Sequence, residues 1–516
     1  MINNKVVLLF INDFSGRGGE KLYLYSNDVL TAVAARDVLE VDCEIICHDY
    51  WLLAPTIFSA AGGLPSLVTD VEELRISTSG MRSDREARDK VDVCAQLLEL
   101  GYEEEEVLGR YRNIVFKNSD FDAEIFSRVA IALLKYSAHV EEKAKEHGEW
   151  DRYCQIERPV ISYLIRSAAD GISINKPVLK VHKQNVDFSY YMALKEFSAT
   201  FDLPLEVPTD EEVIEHLEPQ GYDFSGVGLE YVLNFVPMAN GFSEKLIELR
   251  KIAASRMVLA SISLSQDRIY PVVDGFGSIT SRIYYKDPSL QNLSKRFRDV
   301  ISPARGKCLS YVDFGQFEAG IMAALSGDET MLTLYRQGDV YEAVAVEVFG
   351  DPAFRKQGKR LFLSYAYGMK RRNLIDAAVG YGACRDRAKE FFNKFVRFER
   401  WKSEIHSEFH DSGKIGTAFG NFVRRSSTTP LSEKEKRSAV SQVVQGTASL
   451  IFKKALIRMS LDDRVALRIP MHDAVLFEHS PEFNPIEIVN LFSRVMTEHF
   501  GGAIEGKAEI AAFVQN

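Results

Sequence analysis

The stretch that decides the fold lies at residues 311–328, "YVDFGQFEAGIMAALSGD". Its apolar start is typical of a buried strand, and that strand ends at an acidic residue, Asp313. Behind Gln316 and Glu318, apolar residues recur at helical spacing. The stretch therefore predicts a strand followed directly by a helix, with two acidic side chains at the junction.

Length and composition are those of an ordinary globular protein. The chain has 516 residues, with 46% hydrophobic and 26% charged residues, a length that corresponds to about three or four domains. Its six cysteines form no Cys-x-x-Cys zinc pattern, and we expect them to be reduced, as in a cytoplasmic protein. The sequence has no apolar run of about 18 residues, so we expect no membrane span.

The net charge of −10 is unevenly distributed along the chain. Residues 1–150 contain 16 Lys and Arg against 27 Asp and Glu, whereas residues 151–516 contain 47 against 46. Basic residues cluster at 352–375, where seven Lys and Arg occur without an acid. A phosphate backbone responds to such local patches rather than to net charge. A solvated charged face has the same composition, so the patches alone leave both interpretations open.

Hydrophobic periodicity divides the chain into two parts. Residues 1–149 have a mixed α/β pattern, with buried strands at "KVVLLFIN" and "CEIICH" and helices near 29–38 and 120–145. A new unit begins near Trp150, where a helical pattern runs to a stop signal at Gly171. Beyond it the pattern predicts helices over 175–265, short strands over 268–313, long helices over 328–460, and two strands around a tight turn over 468–480.

Three separated stretches carry residues suited to one chemistry. The first ends in Asp313, and "MHDAVLFE" at 471–478 places Asp473 in a turn between apolar strands. Between them, "RKQGKRLFLSYAYGM" at 355–369 puts four side chains on one helix face: Arg355, Lys359, Leu363 and Tyr367. Paired carboxylates are hard oxygen ligands suited to magnesium. With a cationic helix beside them, they predict phosphoryl or nucleotidyl transfer.

At these residues the sequence resembles the family A DNA polymerases, the group that includes bacterial DNA polymerase I and many phage replicases. "DFGQFEAGIMAALSGD" and "MHDAVLFE" resemble the two palm motifs, and "RKQGKRLFLSYAYGM" resembles the fingers helix. "TSRIYYKDPSLQNL" and "RSAVSQVVQGTAS" resemble two segments that contact primer-template DNA. The five motifs keep the family's order, and the resemblance covers roughly residues 150–516.

The resemblance implies an α/β multi-domain fold. We expect a right-hand polymerase at 150–516, with an antiparallel palm sheet and helical fingers and thumb. The thumb would span about 175–267, the fingers about 329–420, and the palm about 268–328 and 421–516. Residues 1–149 would form an α/β domain of ribonuclease H-like exonuclease type. The family further implies a monomer in the cytoplasm of a bacterial or phage-infected cell, with any replisome or processivity partner left open.

The same resemblance assigns the catalytic roles. Asp313 and Asp473 would hold two Mg²⁺ ions, for which Mn²⁺ could substitute, and the backbone carbonyl of Phe314 would add a ligand. Arg355 and Lys359 would bind the β- and γ-phosphates of a deoxynucleoside triphosphate, with Lys359 counted among the catalytic residues.

Further residues would form the nucleotide pocket and the DNA track. Tyr367 would stack at the templating position, Glu318 would exclude a ribose 2′-hydroxyl, and Leu363, Gln316 and His472 would contact the nucleotide or primer end. The predicted contacts to the primer-template duplex are Arg282, Gln291, Asn292, Arg437 and Gln445. Among these, Arg282 would test base-pair shape through minor-groove acceptors.

Departures from the family pattern keep alternatives open. Leu363 stands where an aromatic residue is usual, and Ala474 replaces the usual Glu after the His-Asp pair. The N-terminal domain has Asp13 without a Glu two residues on, and Phe116 stands where a Tyr usually precedes the acid that Asp120 would supply. We therefore predict no 3′–5′ exonuclease activity. The alternatives to a DNA polymerase are a catalytically silent DNA-binding or replisome-interaction protein and a polymerase specialised for RNA templates or damaged DNA.

Overall fold

The computed structural model of the chain describes residues 5–13, 20–88, 92–224, 228–236, 238–425 and 427–515. In these ranges no helix is both long enough and apolar enough to cross a membrane. The elements fall into an N-terminal α/β part and a larger part built around a second sheet.

The N-terminal sheet has the strand order β3-β2-β1-β4-β5. Its strands are β1 (Lys5–Ile11), β2 (Lys21–Ser26), β3 (Val29–Val33), β4 (Glu44–Cys47) and β5 (Val68–Asp70). The first three pair antiparallel, whereas β4 and β5 run parallel to β1. β1 and β4 confirm the two buried strands predicted from "KVVLLFIN" and "CEIICH".

The predicted helix near 29–38 is wrong, because β3 occupies its first half. Asn27 and Asp28 both have positive φ angles, 50° and 63°, which is the backbone of a two-residue hairpin turn. Register pairs then run from Ser26↔Val29 to Leu22↔Val33. The turn residues, rather than the apolar spacing that follows them, determine the structure here.

Helices cover this sheet, and the predicted helix at 120–145 is confirmed. They are α1 (Tyr50–Ala61), α2 (Val71–Thr78), α3 (Arg82–Ala87), α4 (Val93–Glu99), α5 (Glu105–Val115) and α6 (Ala123–Glu146). α6 begins where the Asp122 carboxylate accepts hydrogen bonds from the backbone N–H groups of Glu124 and Ile125.

A buried ion network joins the two parts. It lies where α7 (Trp150–Arg152) and a π-helical turn (Tyr153–Glu157) lead into α8 (Arg158–Asp170). We call Glu149, Arg152, Glu157 and Lys453 the junction network; each is at most 3% exposed. Arg152 donates to both glutamates and to the carbonyl of Ser77, while Lys453 donates to Glu157. Two basic and two acidic groups thus neutralise each other within the protein.

The second sheet is antiparallel, in the order β13-β14-β10-β15, and confirms the predicted antiparallel palm sheet. In chain order, the strands of the larger part are β6 (Ile172–Ser173), β7 (Arg268–Ile269), β8 (Val272–Asp274), β9 (Tyr284–Lys286), β10 (Cys308–Phe314), β11 (Lys414–Thr417), β12 (Gly420–Arg424), β13 (Val465–Pro470), β14 (Ala474–His479) and β15 (Ala508–Ile510). The tight turn predicted within 468–480 lies between β13 and β14.

Helices of the predicted thumb form a small apolar cluster of their own. The thumb helices are α9 (Lys176–Phe201), α10 (Asp210–Leu217), α11 (Leu229–Phe235) and α12 (Phe242–Ser261). Buried residues of this thumb cluster are Leu194, Phe197, Val213, Leu217, Phe242, Leu246 and Leu249.

The predicted fingers and the helices behind the palm complete the fold. They are α13 (Phe317–Ser326), α14 (Glu329–Gln337), α15 (Val340–Phe349), α16 (Arg355–Ala366), α17 (Arg371–Gly380), α18 (Arg385–Asn393), α19 (Val396–Ser412), α20 (Glu433–Met459) and α21 (Ile486–His499). The hairpin of β11 and β12 interrupts the helices expected over 328–460. The predicted boundary at 420/421 falls inside it, and the other predicted domain limits stay predictions.

Candidate active site

Two acidic residues far apart in sequence are brought side by side by the palm sheet. Asp313 is the penultimate residue of β10, and its register partner on β14 is Ala474. The backbone N–H of Phe314 donates to the carbonyl of Asp473 at 3.0 Å. This hydrogen bond therefore joins Asp473, one predicted metal ligand, to the residue that directly follows Asp313, the other predicted ligand.

The Asp313 carboxylate has the properties of a cation ligand. Its Oδ1 atom is buried and accepts no hydrogen bond within the described structure. Burial, followed by the charges of Asp473 and Glu509, raises the pKa of Asp313 from 3.8 to about 7. A buried, unpaired carboxylate next to other acids is costly without a positive charge, so this donor fits the divalent cation predicted from the sequence.

No group of three or more His, Cys, Asp or Glu side chains in the described residues is arranged to hold a metal ion. A cation bound here would share the two aspartates with other oxygen donors, which is how proteins usually bind Mg²⁺ beside a phosphate. The chemistry of the donor set therefore fits a metal bound together with its nucleotide.

Glu509 is a residue that sequence reasoning missed. It lies on β15, opposite Asp313 in the register of the antiparallel pair. Its side chain lines the same cavity as the two aspartates. The sequence around it, "KAEIAAF", gives no signal of chemistry; the residue becomes relevant only because β15 pairs with β10.

The cationic face of α16 lines the same cavity as these acids. Arg355 and Lys359 both stand over the ring of Tyr341, with the guanidinium carbon and the ammonium nitrogen 5.6 and 5.4 Å from the ring centroid. Arg355 also donates from Nε and Nη2 to Asp339 Oδ2, at 3.0 and 2.6 Å. Burial alone would raise the pKa of Asp339, but the ion pair with Arg355 lowers it. Sequence reasoning also missed Asp339 and Tyr341.

The cavity has a volume of about 470 Å³ and collects most of the predicted site residues. The predicted residues that line it are Arg282, Asp313, Phe314, Gln316, Glu318, Arg355, Lys359, Leu363, His472 and Asp473. Predicted residues outside its lining are Tyr367, Gln291, Asn292, Arg437 and Gln445. A cavity lined by both acids and cations is suited to a metal-bound polyphosphate.

Glu318 stands in the first turn of α13 between Arg282 and Tyr367. Arg282 Nη2 lies 3.4 Å from Glu318 Oε1. The buried hydroxyl of Tyr367, at the end of α16, has no hydrogen-bond partner within the described structure. Burial, followed by the charge of Glu318, raises the pKa of this phenol well above its ordinary value, and Gln445 acts in the opposite direction. The three side chains of Glu318, Tyr367 and Gln445 therefore form one group at the edge of the cavity.

His472 precedes Asp473 in the exposed turn between β13 and β14. Its ring meets that of Tyr284 edge-on at 5.8 Å. Desolvation, followed by the charge of Arg282, lowers the pKa of His472. The imidazole is thus favoured in its neutral form at the mouth of the site.

Gln316 and Gln291 are already engaged with the protein backbone. Gln316 Oε1 accepts from the Val340 N–H at 2.7 Å, and its amide nitrogen donates to Gly338. Gln291 donates to the carbonyls of Ile283 and Pro470 and accepts from the Tyr285 N–H. Gln316 therefore ties the palm to α15, and Gln291 holds the end of β13.

Asn292 and Arg437 are exposed. The Asn292 amide donates to Ser289 Oγ at 2.9 Å. Arg437, on α20, lies beside the loop after Tyr367 and lines two further cavities behind α16. The contacts with DNA expected for Gln291, Asn292, Arg437 and Gln445 stay predictions.

Comparisons with known proteins agree with the family resemblance of the sequence. A family model described as "DNA polymerase family A" matches residues 201–510. The chain is 24% identical to "DNA polymerase I, thermostable" of Thermus aquaticus over 307 residues, 54% of this chain and 36% of that protein. It is 26% identical to DNA polymerase I of Pseudomonas aeruginosa over 298 residues, 52% of this chain and 31% of that protein. The matched region thus spans about a third of these relatives.

Among solved structures, the chain is similar to the POL domain of Pol1 from M. smegmatis, determined in complex with DNA primer-template and dNTP. The TM-score is 0.74 at 18% identity, and the match covers 98% of this chain and 94% of that one. This likeness in fold confirms the predicted α/β right-hand architecture.

Proposed function

Because the chain belongs to DNA polymerase family A, we propose that it is a template-directed DNA polymerase that adds deoxynucleotides to a primer 3′-hydroxyl. The observation that carries the proposal is the pairing of Asp313 with Asp473 through the Phe314–Asp473 backbone bond, in one cavity with the cations of α16. A catalytically silent protein would have no need of a buried, unpaired carboxylate in this position.

Asp313 and Asp473 would hold the magnesium ions, with the Phe314 carbonyl as a further donor and Mn²⁺ as a substitute. Bound magnesium would activate the primer hydroxyl and stabilise the leaving pyrophosphate. Glu509 adds negative charge behind Asp313 and so favours a cation in the site.

Arg355 and Lys359 bind the triphosphate in this proposal. In the structure the Arg355 guanidinium is paired with Asp339. A triphosphate that binds here would replace the Asp339 carboxylate as the partner of this guanidinium. Tyr341 keeps both cations over its ring and directs them towards the cavity. The two charges then neutralise the polyphosphate as its charge redistributes.

Glu318 selects the sugar, and Tyr367 shapes the base pocket. Glu318 lies beside Arg282 in the cavity wall, where a ribose 2′-hydroxyl would compete for the same space. The unpartnered hydroxyl of Tyr367 lies close enough to Glu318 for the two to influence each other's pKa. Leu363, one turn before Tyr367 on α16, offers the base or sugar an aliphatic rather than an aromatic surface.

The duplex would run past Arg282, His472, Asn292, Arg437 and Gln445. Arg282 is suited to donate to minor-groove acceptors, which every correct base pair offers. Gln291 contributes by holding Pro470, two residues before His472, and thus positions the turn that carries Asp473.

We further propose that residues 5–149 do not proofread. Asp13, the acid at the end of β1, forms an ion pair with Lys117 at 3.1 Å. Asp120 is exposed. A carboxylate neutralised by a lysine is a weaker ligand for a divalent ion. The remaining expectations, a monomer in the cytoplasm of a bacterial or phage-infected cell, stay part of this proposal.

Primer extension tests the function. We expect the protein with Mg²⁺ and dNTPs to extend a primer on a DNA template, and the Asp313→Ala variant to lose this activity. The matched control is Asp386→Ala, because the Asp386 side chain is 91% exposed and does not line the cavity. No extension by the wild type would overturn the proposal in favour of a silent protein. Faster extension on RNA or damaged templates than on DNA would favour the specialised polymerase.

A further inference from the structure

α11 (Leu229–Phe235) is a short helix with two different apolar faces. Leu229 and Leu233, four residues apart, pack against the thumb cluster. Tyr231 and Phe235, also four apart, pack instead against the large core that contains the fingers. Residues at this spacing share one side of a helix, so each face of α11 belongs to a different part of the hand.

Specific contacts fix α11 to the fingers. The Tyr231 hydroxyl donates to the carbonyl of Asn373 at 3.1 Å, and the Tyr381 hydroxyl donates to the carbonyl of Asn234 at 3.0 Å. The rings of Phe235 and Tyr381 lie 5.6 Å apart. α11 therefore connects the predicted thumb to α17 and the residue that follows it. We call it the α11 bridge.

A cavity of about 770 Å³ lies beneath the α11 bridge. Its lining includes Tyr231 and Phe235 of α11, and Leu363, Tyr367 and Arg437 from the rest of the hand. A second cavity, of about 560 Å³, shares the lining residues Tyr367, Met369, Lys370 and Arg437 with it. The Tyr367 loop thus separates two halves of one groove that reaches the templating position.

The groove combines basic and aromatic side chains. Its basic residues are Arg360, Lys370, Arg371, Lys402, Lys436 and Arg437, against three acids, Glu230, Glu399 and Glu433. Aromatic rings that line it include Phe224, Tyr231, Phe235 and Phe392. A basic groove with aromatic platforms is how proteins bind single-stranded nucleic acid without reading its sequence. The volume is that of a ligand pocket, so it accommodates unpaired nucleotides and not a double helix.

We propose that the α11 bridge closes a ring of thumb, palm and fingers around the unpaired template strand ahead of the templating position. The inference rests on the proposed polymerase function, because it takes the strand in the groove to be the template. A strand inside a closed ring leaves only by sliding to an end or by opening the two hydroxyl contacts of the bridge. The bridge therefore lengthens the time that the protein stays on its template.

A topological crosslink tests the ring without requiring catalysis. Phe235→Cys and Tyr381→Cys are introduced together, with Cys384→Ser because Cys384 is exposed, and a short bismaleimide joins them. When the protein is crosslinked after it has bound a primed circular single strand, it should stay bound to the circle in high salt. When it is crosslinked on a linear template, it should dissociate in high salt. Crosslinked before mixing, it should bind the linear template and not the circle.

Two outcomes would overturn the ring. Equal binding of circle and linear template by the pre-crosslinked protein would mean that the template passes outside the bridge. Loss of both, with normal binding by the uncrosslinked protein, would mean that the bridge blocks the groove. Retention in high salt is measured by DNA binding and requires no catalysis. A protein that fails to add dNTPs would therefore contradict the proposed function, while the test of the ring could still be made.

A milder variant guards against misfolding of the double-cysteine protein. Tyr381→Phe removes one hydroxyl contact of the bridge, together with the 3.4 Å hydrogen bond that Arg360 donates to the same hydroxyl, and keeps the ring of the side chain. We expect dissociation from the primed circle to be about fivefold faster, with addition of one nucleotide unchanged at saturating DNA. Tyr270→Phe is the matched control, since Tyr270 is 46% exposed and lies away from the bridge. Equal dissociation rates for the two variants would contradict the proposal.

Discussion

Replacing Asp313 by asparagine should stabilise the metal-free protein while abolishing its activity. Burial and the neighbouring charges of Asp473 and Glu509 raise the pKa of Asp313 from 3.8 to about 7. Between these values the folded state holds a proton that the unfolded chain has released, so the stability of the wild type falls as pH rises and the full cost is present above about pH 7. Asparagine carries no charge and avoids this cost.

The magnitude follows from the width of that pH window. From about pH 5 to about pH 8.5, some two pH units lie below the folded-state pKa, and each is worth about 1.4 kcal/mol. We therefore expect Asp313→Asn to gain about 3 kcal/mol relative to wild type across this range. For a chain of 516 residues, that corresponds to about 3 °C in melting temperature.

Thermal unfolding in a chelator at both pH values measures the effect. Asp386→Asn is the control, because the Asp386 side chain is 91% exposed and does not line the cavity. Adding Mg²⁺ should shrink or reverse the advantage, since the wild type gains a bound ion and the variant lacks a ligand. The reasoning is refuted if Asp313→Asn is no more stable than wild type at about pH 8.5 in chelator, or if its advantage is the same at both pH values.

Three further outcomes are expected. Lys453→Met leaves the buried carboxylate of Glu157 short of a counter-charge and should cost about 3 kcal/mol of stability; the double variant with Glu157→Leu should recover part of this loss in thermal unfolding, and an additive double variant would contradict the coupling. Glu318→Ala should reduce the preference for dCTP over CTP by about 10-fold or more, measured as the ratio of kcat/KM values, and an unchanged ratio would exclude Glu318 as the sugar selector. Burial, followed by the charges of Asp49 and Asp70, raises the pKa of Glu72 from 4.5 to about 8, so the stability of the wild type falls over that range. The advantage of Glu72→Gln should therefore be about 3 kcal/mol larger at pH 9 than at pH 6; equal values at the two pH values would show that Glu72 ionises normally.

The parts of the site that the sequence predicts are those with a local signal. Asp313 lies near the end of an apolar strand, and Asp473 lies in a turn between two strands. The sequence around each residue therefore indicates its place in the fold. Arg355 and Lys359 share a helix face at a spacing of four. The pairing of β10 with β14 then brings these groups together, and it follows from the resemblance to a known family rather than from any single motif.

The parts that escaped prediction depend on contacts between distant segments. Glu509 gains its role only through the register of β15 against β10. The α11 bridge has seven residues, too few for a periodic pattern. Its two apolar faces become apparent only from their contacts with the thumb cluster and with the large core. β3 had a local signal in Asn27-Asp28, but apolar spacing typical of a helix outweighed it.

The junction network determines how the protein can be shortened. Glu149 accepts hydrogen bonds from the N–H groups of Asn421 and Phe422, and Arg152 reaches back to Ser77. A fragment that starts at residue 150 would leave Arg152 without one of its acidic partners and would expose backbone groups that Glu149 now binds. Whatever chemistry the first 149 residues have kept or lost, the larger part depends on them for buried contacts, and this dependence would preserve them without any activity of their own.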